Sequence, residues 1–476
     1  MFTDITYQDW LATPESARPA LALKAIQHYK ASEDFLKALT ANGYFRAEDT
    51  AVSQKTILKA RKIEYKDASG RKRVRSGTED VVGNRIYSGM FFKLIVQQNQ
   101  YLLANGVVMK DEKVKEKLGK AFDKTLENMG EKALKQGVCW GFWNVDHVEV
   151  IEAARDGFSG FVALLDEMTS TPMVGIQFWQ IAAERPMYVR VFETDGVTMY
   201  RVAKDQLTEV QAKRPYKINT VTDALGPIVT GVENWGGLPI VPLWASEEKR
   251  SELTNAIKSK IDVFDRIFSD FGDNLDRAND VYWVLNNFGG TMDEVAELLE
   301  QINRVKAVAN MSDGTGAVSS AEPKTIEVPY QAREHALQLL RKEIYQDYMA
   351  LDMDELTGGS LTNVAIEAAM LNLNLKADRY EWQCFRFVQD ILRLQGIETE
   401  DIKFKRQTLI NQSEIVADIA VMRDYIDQET ALKLNPYILQ EEVEKIMANK
   451  DAEMHSGAPT MDEMNRMLSA ANQAAQ

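Results

Sequence analysis

The side chains best suited to chemistry in this sequence are few and scattered. Histidine occurs at four positions, His28, His147, His335 and His455, each in a different expected element. Their spacing therefore gives no shared general base or metal cluster. Asp352, Asp354 and Glu355, with His335 upstream, have the composition of a divalent-metal site such as a metal-dependent nuclease uses. Carboxylates clustered in this way are more often an acidic, solvated loop at a helix end, which is the preferred reading here. Cys139 and Cys384 lie far apart, with no CxxC or Cys/His grouping, and read as two buried free thiols. Trp140, Trp143 and Trp179 have the makings of an aromatic cage, but aromatics in strands pack cores and sheet faces far more often. The phosphate-binding pattern GxxxxGK[ST], a GxGxxG turn, HExxH and GxSxG do not occur. The sequence thus points away from an enzyme and calls for no metal or cofactor.

Charge carries more information. The 476 residues hold 56 Lys+Arg against 71 Asp+Glu, a net of −15, so bulk attraction to nucleic acid is excluded as the basis of function. The excess is uneven. Residues 350–476 carry 22 acidic and 12 basic side chains, a net of −10, whereas residues 53–76 carry nine basic and two acidic, a net of +7. The basic run includes Arg71, Lys72, Arg73 and Arg75, with Asp67-Ala68-Ser69-Gly70 as its turn. It reads as a solvated loop or hairpin, or else as a patch for a polyanion or an acidic neighbour. With 45% hydrophobic residues the chain can bury sizeable cores, and its length argues against a single one. The start, MFTDITYQDW, lacks a secretory pattern, and no apolar run approaches the roughly 20 residues needed to span a bilayer, so synthesis in the cytoplasm is expected.

The elements that must position these residues form a mainly helical α+β chain. The first 45 residues read as helices, as do 84–105 and 111–138, the latter ending near Gly137. From Cys139 to about Pro242, β-branched and aromatic runs broken by turns such as Thr194-Asp195-Gly196 predict an antiparallel sheet region. A long helix begins near 247, with Leu253, Ile257, Ile261, Phe264, Phe268, Phe271 and Leu275 as one apolar stripe. A small mixed module follows: VYWVLNNF as a strand, Asp293–Asn303 as a helix, RVKAVANM as a strand, a Gly/Ser-rich loop, and KTIEV as a strand. A second long helix spans about 331–351, with Leu337, Leu340, Ile344, Tyr348 and Leu351 on its stripe. A third, from Val364 to Leu394, carries Ile366, Met370, Leu373, Ala377, Tyr380, Cys384, Phe387, Ile391 and Leu394 at heptad-like spacing. Residues 411–449 are helical, with Asn435-Pro436 opening the final helix, and 450–476 read as a loose, flexible C-terminal tail. Two long helices flanking a compact module make a rod with a knob, and rods of this kind favour a ring of subunits.

This order of elements resembles the portal proteins of tailed bacteriophages, the head-to-tail connectors of the long-tailed type. The resemblance rests on SARPALALKAIQHYK, NRIYSGMFFKLIVQQNQYLLANG, KALKQGVCWGFWNVD, GGLPIVPLWASEEKRSELTNAIKSKIDVFDRIFSDFGDNLD and NQSEIVADIAVMRDYIDQETALKLNPYILQEEVEKI, taken together and in this order. It implies a portal fold: a wing at 1–246, stem helices at 247–276 and 331–351, a clip at 277–330, a tunnel loop at 352–363 and long wing and crown helices at 364–449. It further implies a homo-oligomeric ring of twelve at one capsid vertex of the virion, a channel for double-stranded DNA entry and exit, and no covalent chemistry. The implied partners are the terminase large subunit, a head-completion or tail adaptor protein, and the major capsid and scaffolding proteins, with no membrane. The DNA-proximal loop would be Leu356, Thr357, Gly358, Gly359, Ser360, Leu361, Thr362 and Asn363. Lys258, Lys260, Arg266, Arg333, Arg341 and Lys342 are the stem residues available to line the channel. Where family members often have Ser-Gly followed by Ala, this chain has Leu361-Thr362-Asn363-Val364-Ala365. The alternatives are another oligomeric virion protein, such as an adaptor or capsid subunit, and, more weakly, the nuclease.

Overall fold

The computed structural model describes residues 3–66, 71–204, 206–223, 226–278, 282–286, 320–324, 330–356, 362–407, 412–422 and 425–435, with Ile438, Val443 and 445–447. The helices are α1 (Tyr7–Ala12), α2 (Arg18–Ala31), α3 (Glu33–Phe45), α4 (Thr50–Ser53), α5 (Met90–Leu103), α6 (Glu112–Glu116), α7 (Phe122–Gln136), α8 (Asn255–Ala278), α9 (Tyr330–Tyr348), α10 (Asn363–Leu394), α11 (Gln412–Met422) and α12 (Gln428–Leu434). The strands are β1 (Thr56–Lys66), β2 (Lys72–Val82), β3 (Val107–Val108), β4 (Val138–Asn144), β5 (His147–Glu152), β6 (Ala154–Asp156), β7 (Ser159–Leu165), β8 (Pro172–Trp179), β9 (Tyr188–Glu193), β10 (Gly196–Ala203), β11 (Gln206–Arg214), β12 (Lys217–Asp223), β13 (Gly226–Glu233), β14 (Ile240–Trp244), β15 (Tyr282–Asn286), β16 (Ser320–Lys324) and β17 (Lys403–Phe404). The chain divides into two compact units. One comprises Met1–Ala350 and Asn372–Gln407, the other Leu351–Leu371 and Thr408–Gln476.

The sheet region runs in the order β11-β10-β9-β8-β7-β6, antiparallel throughout. Thr194-Asp195 is its two-residue turn between paired Glu193 and Gly196, as the sequence predicts. Helices α1–α3 bury one face of this sheet through Trp10, Ile26, Tyr29 and Phe35, where Tyr29 meets Phe35 and Phe178 edge-on. The other face meets the three-stranded sheet β14-β4-β5, with Trp140 against Phe161 and Phe142 against Phe192. Trp140 and Trp143 are thus core residues, and Trp179 stacks on Tyr188. The largest core gathers α5, α7, β4, the start of α8, the end of α9 and α10, and holds Cys139 and Cys384 as fully buried free thiols. Burial pushes both thiols up, out of reach of ordinary thiolate chemistry.

Several boundaries depart from the sequence reading. Helix α5 starts at Met90, not near 84, because residues 84–88 give their amides to side chains of α8. The stretch 111–138 is two helices. Gly119 separates them at φ +91, where a Cβ would lie 2.6 Å from the carbonyl oxygen of Asp146. Helix α8 begins at Asn255, not 247. The preceding segment is held on the C-terminus of α7, where Ser251 Oγ donates to the Lys135 carbonyl at 2.5 Å and the Glu252 amide to that of Leu134 at 3.0 Å. These are carbonyls a helix end leaves unpaired, and pairing them outweighs one more turn of α8. In the mixed module, β15 pairs with Ser320–Lys324, most of which the sequence assigns to the loop ahead of KTIEV, and residues 325–328 of that expected strand lie outside the described residues. Pro323 fits a two-stranded sheet, where one side of each strand has no ladder to lose. The expected elements at 293–303 and 304–311, the turn 67–70, Pro436 and the tail 450–476 lie outside the described residues. The basic run itself is a hairpin, β1 against β2, in register from Thr56↔Val82 to Lys66↔Lys72.

Candidate functional site

Helix α8 carries an unexpected polar face. Asp265, Ser269 and Asp273 stand one turn apart and are buried, at 1%, 0% and 5% exposure. They accept the alternate amides of an extended segment: Ser88 N–H to Asp265 Oδ1 at 3.1 Å, Ile86 N–H to Ser269 Oγ at 3.0 Å, and Asn84 N–H to Asp273 Oδ1 at 2.7 Å. Two residues of extended chain advance about 6.6 Å and one helical turn about 5.4 Å, close enough for three successive rungs. Lys55, just before β1, completes the ladder on Asp273 at 2.5 Å and Asp270 at 2.8 Å. The carboxyl of Asp265 is pushed up to about 7, chiefly by burial and further by hydrogen bonding to the buried carboxyl of Asp49, against bonds from Ser88. The period-four spacing of Asp265, Ser269 and Asp273 is the signal the sequence carries for this face, and it is polar where a buried helical face is ordinarily apolar.

Helices α8 and α9 are locked to each other by charge and by rings. Lys260 bridges to Glu343 at 2.9 Å and Asp347 at 2.7 Å, and Phe271 meets Tyr330 edge-on at 5.8 Å. Other cations named on the stem make contacts of their own within the chain. Lys258 pairs with Asp262 at 2.8 Å and lies over the Tyr44 ring. Arg333 donates to the Asp270 carbonyl at 3.3 Å, and Arg341 lies over the Tyr345 ring. Arg266 and Lys342 are exposed.

At the end of α9 the chain turns sharply. Met349 has φ +61, a left-handed conformation in a residue with a side chain, and the Ala350 amide closes on the Tyr345 carbonyl at 2.9 Å. Met353–Leu356 form one 3-10 turn, and Thr357, Gly358, Gly359, Ser360 and Leu361 lie outside the described residues. Thr362 caps α10, its Oγ1 accepting the Ala365 amide at 3.3 Å, and Asn363 is already the first residue of that helix. The end of the expected loop is therefore a helix start. Of the acidic trio, Asp352 Oδ1 accepts the Asp354 amide at 3.2 Å. Among the described residues no three His, Cys, Asp or Glu side chains are grouped to hold a metal. His28, His147 and His335 fall on α2, β5 and α9. Arg71 is exposed just ahead of β2, and Lys72, Arg73 and Arg75 stand on β2 opposite Lys66, Tyr65 and Ile63.

Among the described residues, this geometry is a pair of helices, α8 and α9, braced by charge and by rings. Over residues 37–456 the sequence matches the phage portal proteins of the SPP1 Gp6-like type. The chain belongs to that family. The portal protein of Clostridium phage phiCD119 is 25% identical to it over 355 residues, which cover 71% of this chain and 76% of the relative. Portal proteins are structural components of the virion and not enzymes, so the acidic trio of this portal protein needs no catalytic role. Among the described residues no helix of the portal protein is long and apolar enough to cross a membrane.

Proposed function

We propose that this portal protein forms a twelve-membered ring at one capsid vertex, with α8 and α9 as the stem around a channel for double-stranded DNA. The carrying observation is the incomplete burial of α8. Ile257 and Ile261 are buried, but Phe268 stays 37% and Leu275 42% exposed, with Val263 at 42% and Leu339 of α9 at 54%. A long helix with an open apolar face is a surface prepared for another chain, and a ring supplies one on each side. Residues 1–246 then form the wing, 277–330 the clip, 352–363 the tunnel loop and 364–449 the wing and crown helices. The terminase large subunit and later a head-completion or tail adaptor protein dock at the clip, and the major capsid and scaffolding proteins contact the wing, whose basic Arg71, Lys72, Arg73 and Arg75 suit an acidic neighbour.

The charge pattern supports passage over gripping. Each cation bound to a phosphate adds attraction and releases counterions, which raises the barrier to sliding. Lys258, Lys260, Arg333 and Arg341 make contacts within the subunit, which temper their pull on a phosphate backbone, and Arg266, exposed on α8, would add one weak ring. The net −10 of residues 350–476 extends this into loop and crown. Replacing Leu356–Asn363 by a short Gly-Ser link is expected to leave ring assembly intact, seen by negative stain, and to impair DNA packaging or retention. Normal packaging by that variant sinks the loop's assignment, and a protein that forms no ring with a duplex-wide hole sinks the portal architecture proposed here.

A further inference from the structure

The chain leaves the first compact unit after Ala350 and rejoins it at Asn372, and one buried ammonium ties the two crossing points together. Lys376 of α10, one turn past the re-entry, donates from Nζ to the carbonyl of Tyr348, the last residue of α9, at 2.8 Å. The same Nζ is 2.7 Å from Glu252 Oε2 in the segment ahead of α8, and 3.2 Å from the centre of the Tyr348 ring. Its side chain is 13% exposed and that of Glu252 17%. Tyr348 is itself fixed: 1% exposed, with its hydroxyl donating to Gln98 Oε1 of α5 at 2.7 Å. A helix C-terminus leaves carbonyls unpaired and carries partial negative charge, so a cation is the favoured partner there. The strained left-handed Met349 follows immediately. A turn of this kind persists only where its surroundings over-determine it, and Lys376 supplies that determination.

We propose that Lys376 is the positioning residue for the DNA-proximal loop. By pinning the last carbonyl of α9 to α10 and to Glu252, it fixes the two points at which 351–371 leaves and rejoins the first unit, and so keeps the end of α9 wound while DNA passes. The inference rests on the reading of 352–363 as the tunnel loop. Of the other charges lining the cavity around Lys376, Arg379 pairs with Glu248 at 2.9 Å, Asp347 pairs with Lys260 at 2.7 Å, and Arg250 is exposed at its edge.

The test compares assembled wild-type rings with Lys376→Met/Glu252→Gln, which removes both charges at nearly constant volume, and with Lys376→Arg. Amide hydrogen exchange is followed at Met349 and Ala350, and DNA retention in particles carrying each variant. The expected result is that the double variant still forms rings, exchanges these amides about tenfold faster, and retains less DNA, while Lys376→Arg keeps slow exchange. Unchanged exchange overturns the pin. Faster exchange with full DNA retention overturns its link to DNA passage and leaves the portal reading standing, whereas absence of wild-type rings removes that reading itself. Should the double variant fail to fold, Glu252→Gln alone is expected to speed exchange by about threefold, and no change there overturns the proposal equally.

Discussion

Helices α8 and α10 have the same signature in the sequence, a long apolar stripe at alternating steps of three and four, yet they are used in opposite ways. On α10 the stripe is the core. Ile366, Met370, Leu373, Ala377, Tyr380, Cys384, Phe387 and Ile391 are all at or below 8% exposure. On α8 the stripe is buried only at its base, and the residues buried further along are Asp265, Ser269 and Asp273. One helix is satisfied by its own subunit. The other spends its inner face on a polar ladder and leaves aromatic surface uncovered. Apolar periodicity therefore reports that a face will be covered, not by what. The difference separates stabilisation within the subunit from stabilisation by assembly.

The comparison breaks most visibly at Phe387, 1% exposed and packed against Gly141, where a Cβ would lie 2.8 Å from the ring. Phe387→Ala removes a fully buried ring from a site with little room to collapse, and should cost about 3–5 kcal/mol in denaturant unfolding. A loss below about 1 kcal/mol would mean that the stripe of α10 is not the core it is described as.

Next comes the ladder. Asp273→Ala strips Lys55 and the Asn84 amide of a partner in a buried setting, at an expected cost of about 1–3 kcal/mol. Asp273→Asn keeps an acceptor for the amide and should recover part of it. An Ala variant as stable as wild type would show that solvent replaces the rungs.

Much of this was legible in advance, for specific reasons. Tyr380, Cys384 and Phe387 could be placed in a core because a stripe sustained over nine positions has few alternatives to burial. The hairpin β9–β10 followed from Thr194-Asp195-Gly196, where turn chemistry and alternation agree. The start of α8 was misplaced because residues 247–254 have nothing against helix in their local pattern; what holds them is the end of α7, more than a hundred residues away. Residues 84–88 failed for the same cause, since NRIYS is a plausible helix start until Asp265, Ser269 and Asp273 claim its amides. Of the candidate site, the stem helices were visible, but the engagement of Lys258, Lys260, Arg333 and Arg341 was not, because ion pairing across helices depends on register that one sequence does not encode. Lys376 carries no signal of its own in the sequence, because only the fold brings it to the Tyr348 carbonyl and to Glu252.

The pH response gives a finer distinction. Burial, together with the Asp49 carboxyl, raises the Asp265 pKa to about 7, so the folded chain holds a proton that the unfolded chain releases in the ordinary carboxylate range. The folded state therefore binds more protons across that interval, and stability falls as pH rises from about 4 to about 7. Asp265→Asn can accept from Ser88 and donate to Asp49 at every pH, so its urea midpoint should fall less over the same interval. Identical slopes for the two proteins would show that the Asp265–Asp49 pair does not hold the proton. Neighbouring charges, Asp273 with Lys55 and Asp262 with Lys258, are paired and common to both proteins, so they cancel in the comparison.

A modest effect on the isolated chain is expected where the comparison matters most. Phe268 and Leu275 are 37% and 42% exposed in the subunit, so Phe268→Ser/Leu275→Ser removes less buried surface than truncation at Phe387 does. The monomer should lose about 1–2 kcal/mol in unfolding at concentrations too low for assembly. The same double variant should fail to form rings in analytical ultracentrifugation, because an interface core loses its energy when its aromatic and aliphatic anchors are truncated. A variant that assembles normally would show that α8 keeps its open stripe for some other surface, and a monomer that unfolds readily would show that the stripe was already covered from within. Either outcome would move α8 back beside α10.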